Sequence, residues 1–177
     1  IRIVTPGTNI DMQSLDETKN NYIMSIVYLA DKYGVAICDV TTGDFFVTEV
    51  DSERKLLDEM NKYAPSEVIC NEAFYMSGVD IEDMKNRLSI AVSSLDAWYF
   101  GDELAKETLL SHFKVASLQA LGLEDYDCGV ISAGALLKYL YDTQKNSMEH
   151  ILAIHPYSIG KFLILDSSTR RNLELVE

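Results

Sequence analysis

Basic residues are scarce in this sequence. Fifteen lysines and arginines face 28 aspartates and glutamates over 177 residues, leaving a net charge of -13. That balance favours solubility and repels nucleic acid on average, and no local basic patch stands out. No apolar run approaches the roughly 20 residues of a bilayer-spanning helix. No signal peptide is visible, since Ile1-Arg2-Ile3-Val4 leads straight into a Pro-Gly turn. The three cysteines, Cys38, Cys70 and Cys128, are far apart and form no CxxC pair. This excludes a zinc knuckle and a disulfide framework, and they read as reduced, buried, small apolar residues. The three histidines, His112, His150 and His155, lack the i, i+4 or HExxH spacing of a metal site. Neither GxxxxGK[ST] nor GxGxxG occurs, so the chain lacks both familiar nucleotide cradles; a GxSxG elbow is absent too.

What is present is a core-forming apolar fraction of 47% and a strong β signal near the start. Tyr22–Ala30, Val35–Thr41 and Asp44–Val50 are rich in β-branched and aromatic residues, as a pleated, half-buried surface favours. Turn signals at Asp31–Gly34 and Thr42-Gly43 separate them, which predicts an antiparallel meander of three strands. Upstream, Arg2–Val4 can be extended, Thr5-Pro6-Gly7-Thr8 is a turn, and Asn9–Asn21 is polar and irregular.

Beyond the meander the period changes. Asp51 or Ser52 caps a helix whose face is Leu56, Leu57, Met60 and Tyr63, stopped by Pro65. Glu67–Cys70 is a short strand, parallel to a neighbour because a helix precedes it. Asn71–Val79 is a loop, Ile81–Leu88 a short helix, and Ser89–Ser93 another strand. Trp98-Tyr99-Phe100 can stack bases; it reads instead as a core anchor, ended by Gly101. Asp102 caps a helix with Leu104, Ala105, Thr108, Leu109 and His112 on one stripe. Its opposite face, Glu103, Lys106, Glu107 and Ser111, is a possible partner surface. Short helical turns fill Val115–Leu121.

The strongest helix starts at Asp127. It carries an apolar face (Val130, Ala133, Leu137, Leu140, Tyr141) and a small-residue patch at Gly129, Ala133, Gly134 and Ala135 that permits close packing. Ile151–Ile154 and Phe162–Leu165 read as extended segments around a loop at His155–Ser158. A last helix follows Asp166 or Ser167. Strands and helices alternate up to about residue 125 and helix dominates after it, which predicts a unit at 1–125 and a second at 126–177. Because the first residue is not methionine and the last falls inside a helical pattern, a piece of a longer cytoplasmic protein is expected.

The one aspartate inside the meander, Asp39, raises the question of catalysis. A ribonuclease H-like nuclease builds a two-metal site from carboxylates on such a meander and on later elements, with Asp96 as an imaginable further ligand. The reading adopted is architectural: Asp39 lies near a strand end and bonds turn groups at Thr41, Thr42 or Gly43, with Asp44 a turn residue. Arg170-Arg171 can meet phosphate, and is read as pairing with Asp166 or Glu174 instead.

Several stretches together resemble one family. RIVTPGT at Arg2–Thr8, with Asp11 and Leu15, is similar to the entry into the second domain of bacterial DNA mismatch repair proteins of the MutS family. NNYIMSIV and YGVAICDVTTGDF resemble that domain's first strands, and GALLKYLYDTQ at Gly134–Gln144 resembles the helix leaving it. LDSSTRRNLEL at Leu165–Leu175 resembles the opening of the helical core, with Thr169, Arg170, Arg171 and Asn172 as its motif. The resemblance implies a ribonuclease H-like α/β connector: a mixed sheet with an antiparallel meander flanked by helices, followed by the start of an α-helical lever domain. It implies a non-catalytic segment that relays conformational change between mismatch-binding and ATPase domains and offers a surface to MutL. Catalytic, cofactor and metal residues are not expected in this stretch. ATP and Mg²⁺ belong to the parent, a homodimer that meets mismatched DNA through its other domains. Hinge candidates are Pro6, Gly7, Asp39, Gly43, Gly129 and Gly134. The alternative from a different class is a metal-dependent nuclease using Asp39.

Overall fold

The computed structural model describes residues 21–143 and 149–158. The meander is present as β1 (Tyr22–Leu29), β2 (Lys32–Asp39) and β3 (Phe45–Val50). Its first turn is tighter than the sequence suggests. Ala30 and Asp31 both take left-handed backbone angles (φ 54° and 63°), making a two-residue hairpin of the kind whose twist matches antiparallel strands. Gly34, expected in the turn, therefore lies within β2, opposite Val27.

After β3 come α1 (Glu53–Tyr63), β4 (Glu67–Cys70), the single-turn α2 (Glu72–Tyr75), α3 (Ile81–Leu88) and β5 (Ala91–Ser94). Ser52 caps α1 by accepting from the Lys55 N–H at 3.2 Å, and Ala64 ends it in the left-handed region (φ 48°) just before Pro65. Asp80 caps α3 in the same way through the Asp83 N–H. The strand predicted at Ser89 starts two residues later, because Ser89 is the left-handed C-cap of α3 (φ 55°). The expected loop at Asn71–Val79 contains α2.

The second half holds a 3-10 turn at Ala97–Phe100, α4 (Asp102–Phe113), a 3-10 turn at Leu118–Leu121, α5 (Cys128–Thr143) and the two-residue β6 (His155–Pro156). Two expectations need correction here. Gly101, not Asp102, is the N-cap residue of α4, and no side chain caps it. His155-Pro156, read as loop, is the strand, while Ile151–Ile154 is irregular.

The six strands form one mixed sheet in the order β5-β4-β1-β2-β3-β6, in which β2 alone runs against the others. This is the ribonuclease H-like arrangement. Alternate strand residues feed two cores. Met24, Ile26, Val35 and Ile37 face α1 and α3; Ile23, Ala36, Cys38 and Val47 face α4 and α5. With both faces covered, β2 is buried from Tyr33 to Asp39. All three cysteines are free and buried. Among the described residues no helix is long and apolar enough to cross a membrane.

The helix α5 decides how the body is closed. From Cys128 to Leu137 every residue is buried, and Val130, Ala133, Leu136, Leu137 and Leu140 sit in the same core as β1 to β4. The composition shift near residue 125 thus marks a buried helix of this body. Buried helices are apolar all round, which is why the shift looks like a boundary. Pro6, Gly7, the Phe162–Leu165 segment and the Thr169–Asn172 motif lie outside the described residues.

Candidate functional site

Asp39 ends β2 opposite Tyr22 and is fully buried. Its Oδ1 accepts from the Thr41 N–H at 2.9 Å and the Asn21 N–H at 3.4 Å. Its carbonyl accepts from the Gly43 N–H at 2.7 Å, and its own N–H donates to the Asp44 carbonyl at 2.9 Å. Asp44 accepts from the Thr42 hydroxyl. Gly43 is required twice: its φ is +86°, and a Cβ there would sit 2.1 Å from the His150 carbonyl oxygen. Asp39 is therefore tied into an Asx-type turn, the role the residues suggested.

Among the described residues, one cluster brings three metal-capable ligand atoms within 4.8 Å: Glu49, Asp127 and Cys128. It includes neither Asp39 nor Asp96. Its chemistry is that of a helix cap. Glu49 Oε2 accepts from the Asp127 and Gly129 N–H groups, both at 2.8 Å. Asp127 Oδ1 accepts from the Cys128 N–H at 2.6 Å. Two carboxylates thus meet the positive end of α5. The Lys32 ammonium already fills the cation's place, 3.4 Å from Glu49 and 3.2 Å from Asp127. Burial, helped by both carboxylates, pushes the Cys128 thiol well above its ordinary range.

Sequence reading missed Glu49, although a signal was available. Glu49 is in phase with Phe45 and Val47 along β3, so the pleat aims a carboxylate at the α5 face. Glu59 is similar: it falls on the Leu56 and Met60 stripe of α1 and is only 5% exposed. Its partner lies far along the chain. Tyr157 donates from its hydroxyl to Glu59 Oε1 at 2.5 Å, and Lys62 approaches the same oxygen at 3.6 Å.

Tyr157 fastens the segment after α5 to the edge of the sheet. Its N–H donates to the Val47 carbonyl, and its carbonyl accepts from Thr48 and Tyr126. Burial and the Glu59 hydrogen bond raise its phenol far above the ordinary 10.0. The Tyr157→Phe variant is expected to lose about 1–2 kcal/mol, since it leaves a buried carboxylate short of one donor. It should also flatten the alkaline limb of stability. A raised folded pKa contributes stability that is full below pH 10.0 and is lost as pH rises towards the folded value. Denaturant titrations of both proteins at pH 8 and pH 11 check this; equal alkaline losses would remove the latch from the account.

The expected partner face of α4 is open: Glu103, Lys106, Glu107 and Ser111 are all exposed. Of the expected aromatic anchor only Phe100 reaches a buried cluster, packing against Val27, Cys128 and Ile131. Trp98 is 51% exposed, and Tyr99 and Phe100 are half-buried. Gly129 and Gly134 lie at close contacts: a Cβ would sit 2.8 Å from Tyr126 Cδ2 in the first case and 2.4 Å from Ala105 Cα in the second.

A family model described as MutS domain II matches residues 21–152. The chain belongs to the MutS family. The MutS of Lachnoclostridium phytofermentans, a DNA mismatch repair protein, is 55% identical over 177 residues, covering 100% of this chain and 19% of the relative. That of Ruminiclostridium cellulolyticum is 41% identical over 180 residues, covering 100% and 20%. The chain therefore spans about one-fifth of the length of these MutS relatives. Among solved structures, T. thermophilus RuvC in complex with Holliday junction substrate covers 72% of this chain and 98% of its own, at 12% identity and a TM-score of 0.48. That likeness is too low to carry a function across. The described MutS domain II region takes in the whole sheet except β6, and all of α5.

Proposed function

We propose that the chain is the non-catalytic connector of a MutS-type mismatch repair protein. It relays conformational change between mismatch-binding and ATPase domains and presents a surface to MutL. The observation that carries the reading is the seating of α5. Sheet, α4 and α5 meet at glycine contacts too close for any side chain, so the body moves as a unit rather than bending within itself. In this reading the lever domain begins beyond Tyr157, and Gly129 and Gly134 are packing positions rather than hinges. ATP and Mg²⁺ act elsewhere in a homodimeric, cytoplasmic parent, and mismatched DNA is met through its other domains. The nuclease alternative is not proposed, because Asp39 is committed to its turn.

The partner surface is tested in the full-length parent. Glu103→Lys with Glu107→Lys reverses the exposed charge of α4 and is expected to weaken MutL capture in the ATP-bound state about tenfold. Exposed positions of this kind shift stability by only about 0.5 kcal/mol, so the melting curve should be unchanged. Undiminished MutL capture and normal repair would remove α4 from the interface while leaving the connector reading intact.

A further inference from the structure

The polar face of α4 is a thin interface by itself. Stable protein interfaces cover about 800 Å² on each partner and centre on an apolar anchor held in a dry pocket, with polar residues ringed around it. Glu103, Lys106, Glu107 and Ser111 supply part of a ring and no centre.

A mostly apolar concavity of about 520 Å³ adjoins this face and shares Ser111 with it. It opens where the carboxyl ends of α4 and α5 meet the segment after α5. Its walls carry Leu152, 82% exposed and the most exposed large apolar residue among those described, and Tyr141, also exposed. Its floor is already fixed. His112 Nε2–H donates to the Ile151 carbonyl at 2.8 Å, and Nδ1 pairs with the Tyr141 hydroxyl at 2.8 Å. The imidazole meets the Phe113 ring edge-on at 4.8 Å, and Ile151 is buried. A rigid floor lowers the ordering cost of a guest. Both ring nitrogens of His112 are used, so a polar guest would lose water and gain no partner there. The charges of the lining, Lys114 and Glu149, are exposed and opposite in sign, so they favour neither a cation nor an anion. The chemistry that fits is a bulky uncharged apolar side chain, and its contiguity with α4 makes the supplier the partner that lies on α4.

We propose that this groove is the apolar centre of the MutL-facing surface and takes an aliphatic or aromatic anchor side chain of MutL. The proposal rests on the reading of α4 as part of that surface, and it extends the surface to Tyr141 and Leu152.

The test uses the full-length parent, captured on immobilised MutL in the ATP-bound state. Leu152→Asp is expected to weaken capture at least about tenfold, and Leu152→Met to leave it within about twofold. Because Leu152 is so exposed, the melting curve, mismatch binding and ATP hydrolysis of the parent should not change. Met76→Asp is the control: Met76 is 80% exposed and lies outside the lining, so capture should stay normal. Normal capture by Leu152→Asp, or an equal loss from Met76→Asp, overturns the proposal. If Glu103→Lys with Glu107→Lys still weakens capture in that case, the α4 reading stands without the groove; if it does not, both fall. A loss accompanied by a lower melting temperature or altered ATP hydrolysis also overturns the proposal, because a neighbouring domain of the parent would then fill the groove.

Discussion

Replacing Gly34 by alanine is expected to cost about 3 kcal/mol and to lower the melting temperature by about 10 °C. A Cβ at Gly34 would lie 2.2 Å from the Cys128 carbonyl oxygen, 2.3 Å from its carbon and 2.6 Å from the Gly129 nitrogen. All three are backbone atoms of the first turn of α5, so no rotamer change relieves the clash. Either β2 bows or α5 lifts. Lifting α5 pulls on the Glu49 cap and on the buried Ser132 hydroxyl, which bonds the Ser25 carbonyl at 2.8 Å and the Ser25 hydroxyl at 3.0 Å. Gly134→Ala should behave similarly from the other side, because its Cβ would meet Ala105 Cα at 2.4 Å and Ala105 Cβ at 2.5 Å. Gly101→Ala is the contrast: φ is -75° and the nearest atom is 3.8 Å away, so its effect should stay within about 0.5 kcal/mol. Urea denaturation of the three variants decides the matter. Gly34→Ala matching Gly101→Ala would mean that α5 is not seated as described.

Gly34 also shows where sequence reading stops. A glycine after Asp-Lys-Tyr reads as a turn residue, and the local signal contains nothing else. Its reason is a helix that arrives some 90 residues later, at Cys128. Elements set by local period were legible: the meander, α1 with its Ser52 cap, β4, α3 and the small-residue face of α5. So was Asp39, whose turn partners Thr41, Gly43 and Asp44 lie within five residues of it. What was not legible depends on distant contacts. Two residues of β6 carry no period at all. Trp98-Tyr99-Phe100 has the composition of a core, yet only Phe100 packs on a buried cluster, that of Val27, Cys128 and Ile131, while Trp98 stays half-exposed. The apparent boundary near residue 125 was a fully buried helix seen without its sheet. The charge in the interior had a readable phase but no readable partner, and this is most consequential at Glu49.

Glu49→Ala is expected to cost about 3 kcal/mol, the other large effect in this body. Two costs combine: the Asp127 and Gly129 N–H groups lose their acceptor, and the positive end of α5 loses a largely buried charge, at 15% side-chain exposure. Glu49→Gln keeps one acceptor oxygen and should cost about half as much. Lys32→Ala separates the cap from the ion pair. Lys32 is 37% exposed, so its pairing is worth only about 0.5 kcal/mol and fades with salt, whereas the cap hydrogen bonds persist at high salt. Acid adds a further test. Burial opposes ionisation of Asp127, but the Cys128 N–H and Lys32 outweigh it and hold the carboxyl below its ordinary 3.8. Its contribution is therefore full above that value and lost as pH falls through the lower folded one. Asp127→Asn should remove this part of the acid loss without changing stability's slope near neutrality. Denaturation curves at low and high salt, with hydrogen exchange of the first α5 amides, distinguish the roles. If Lys32→Ala costs as much as Glu49→Ala, the junction is an ion pair and not a cap. In that case salt would loosen α5 from the sheet, and the body could not act as the stiff element a connector requires.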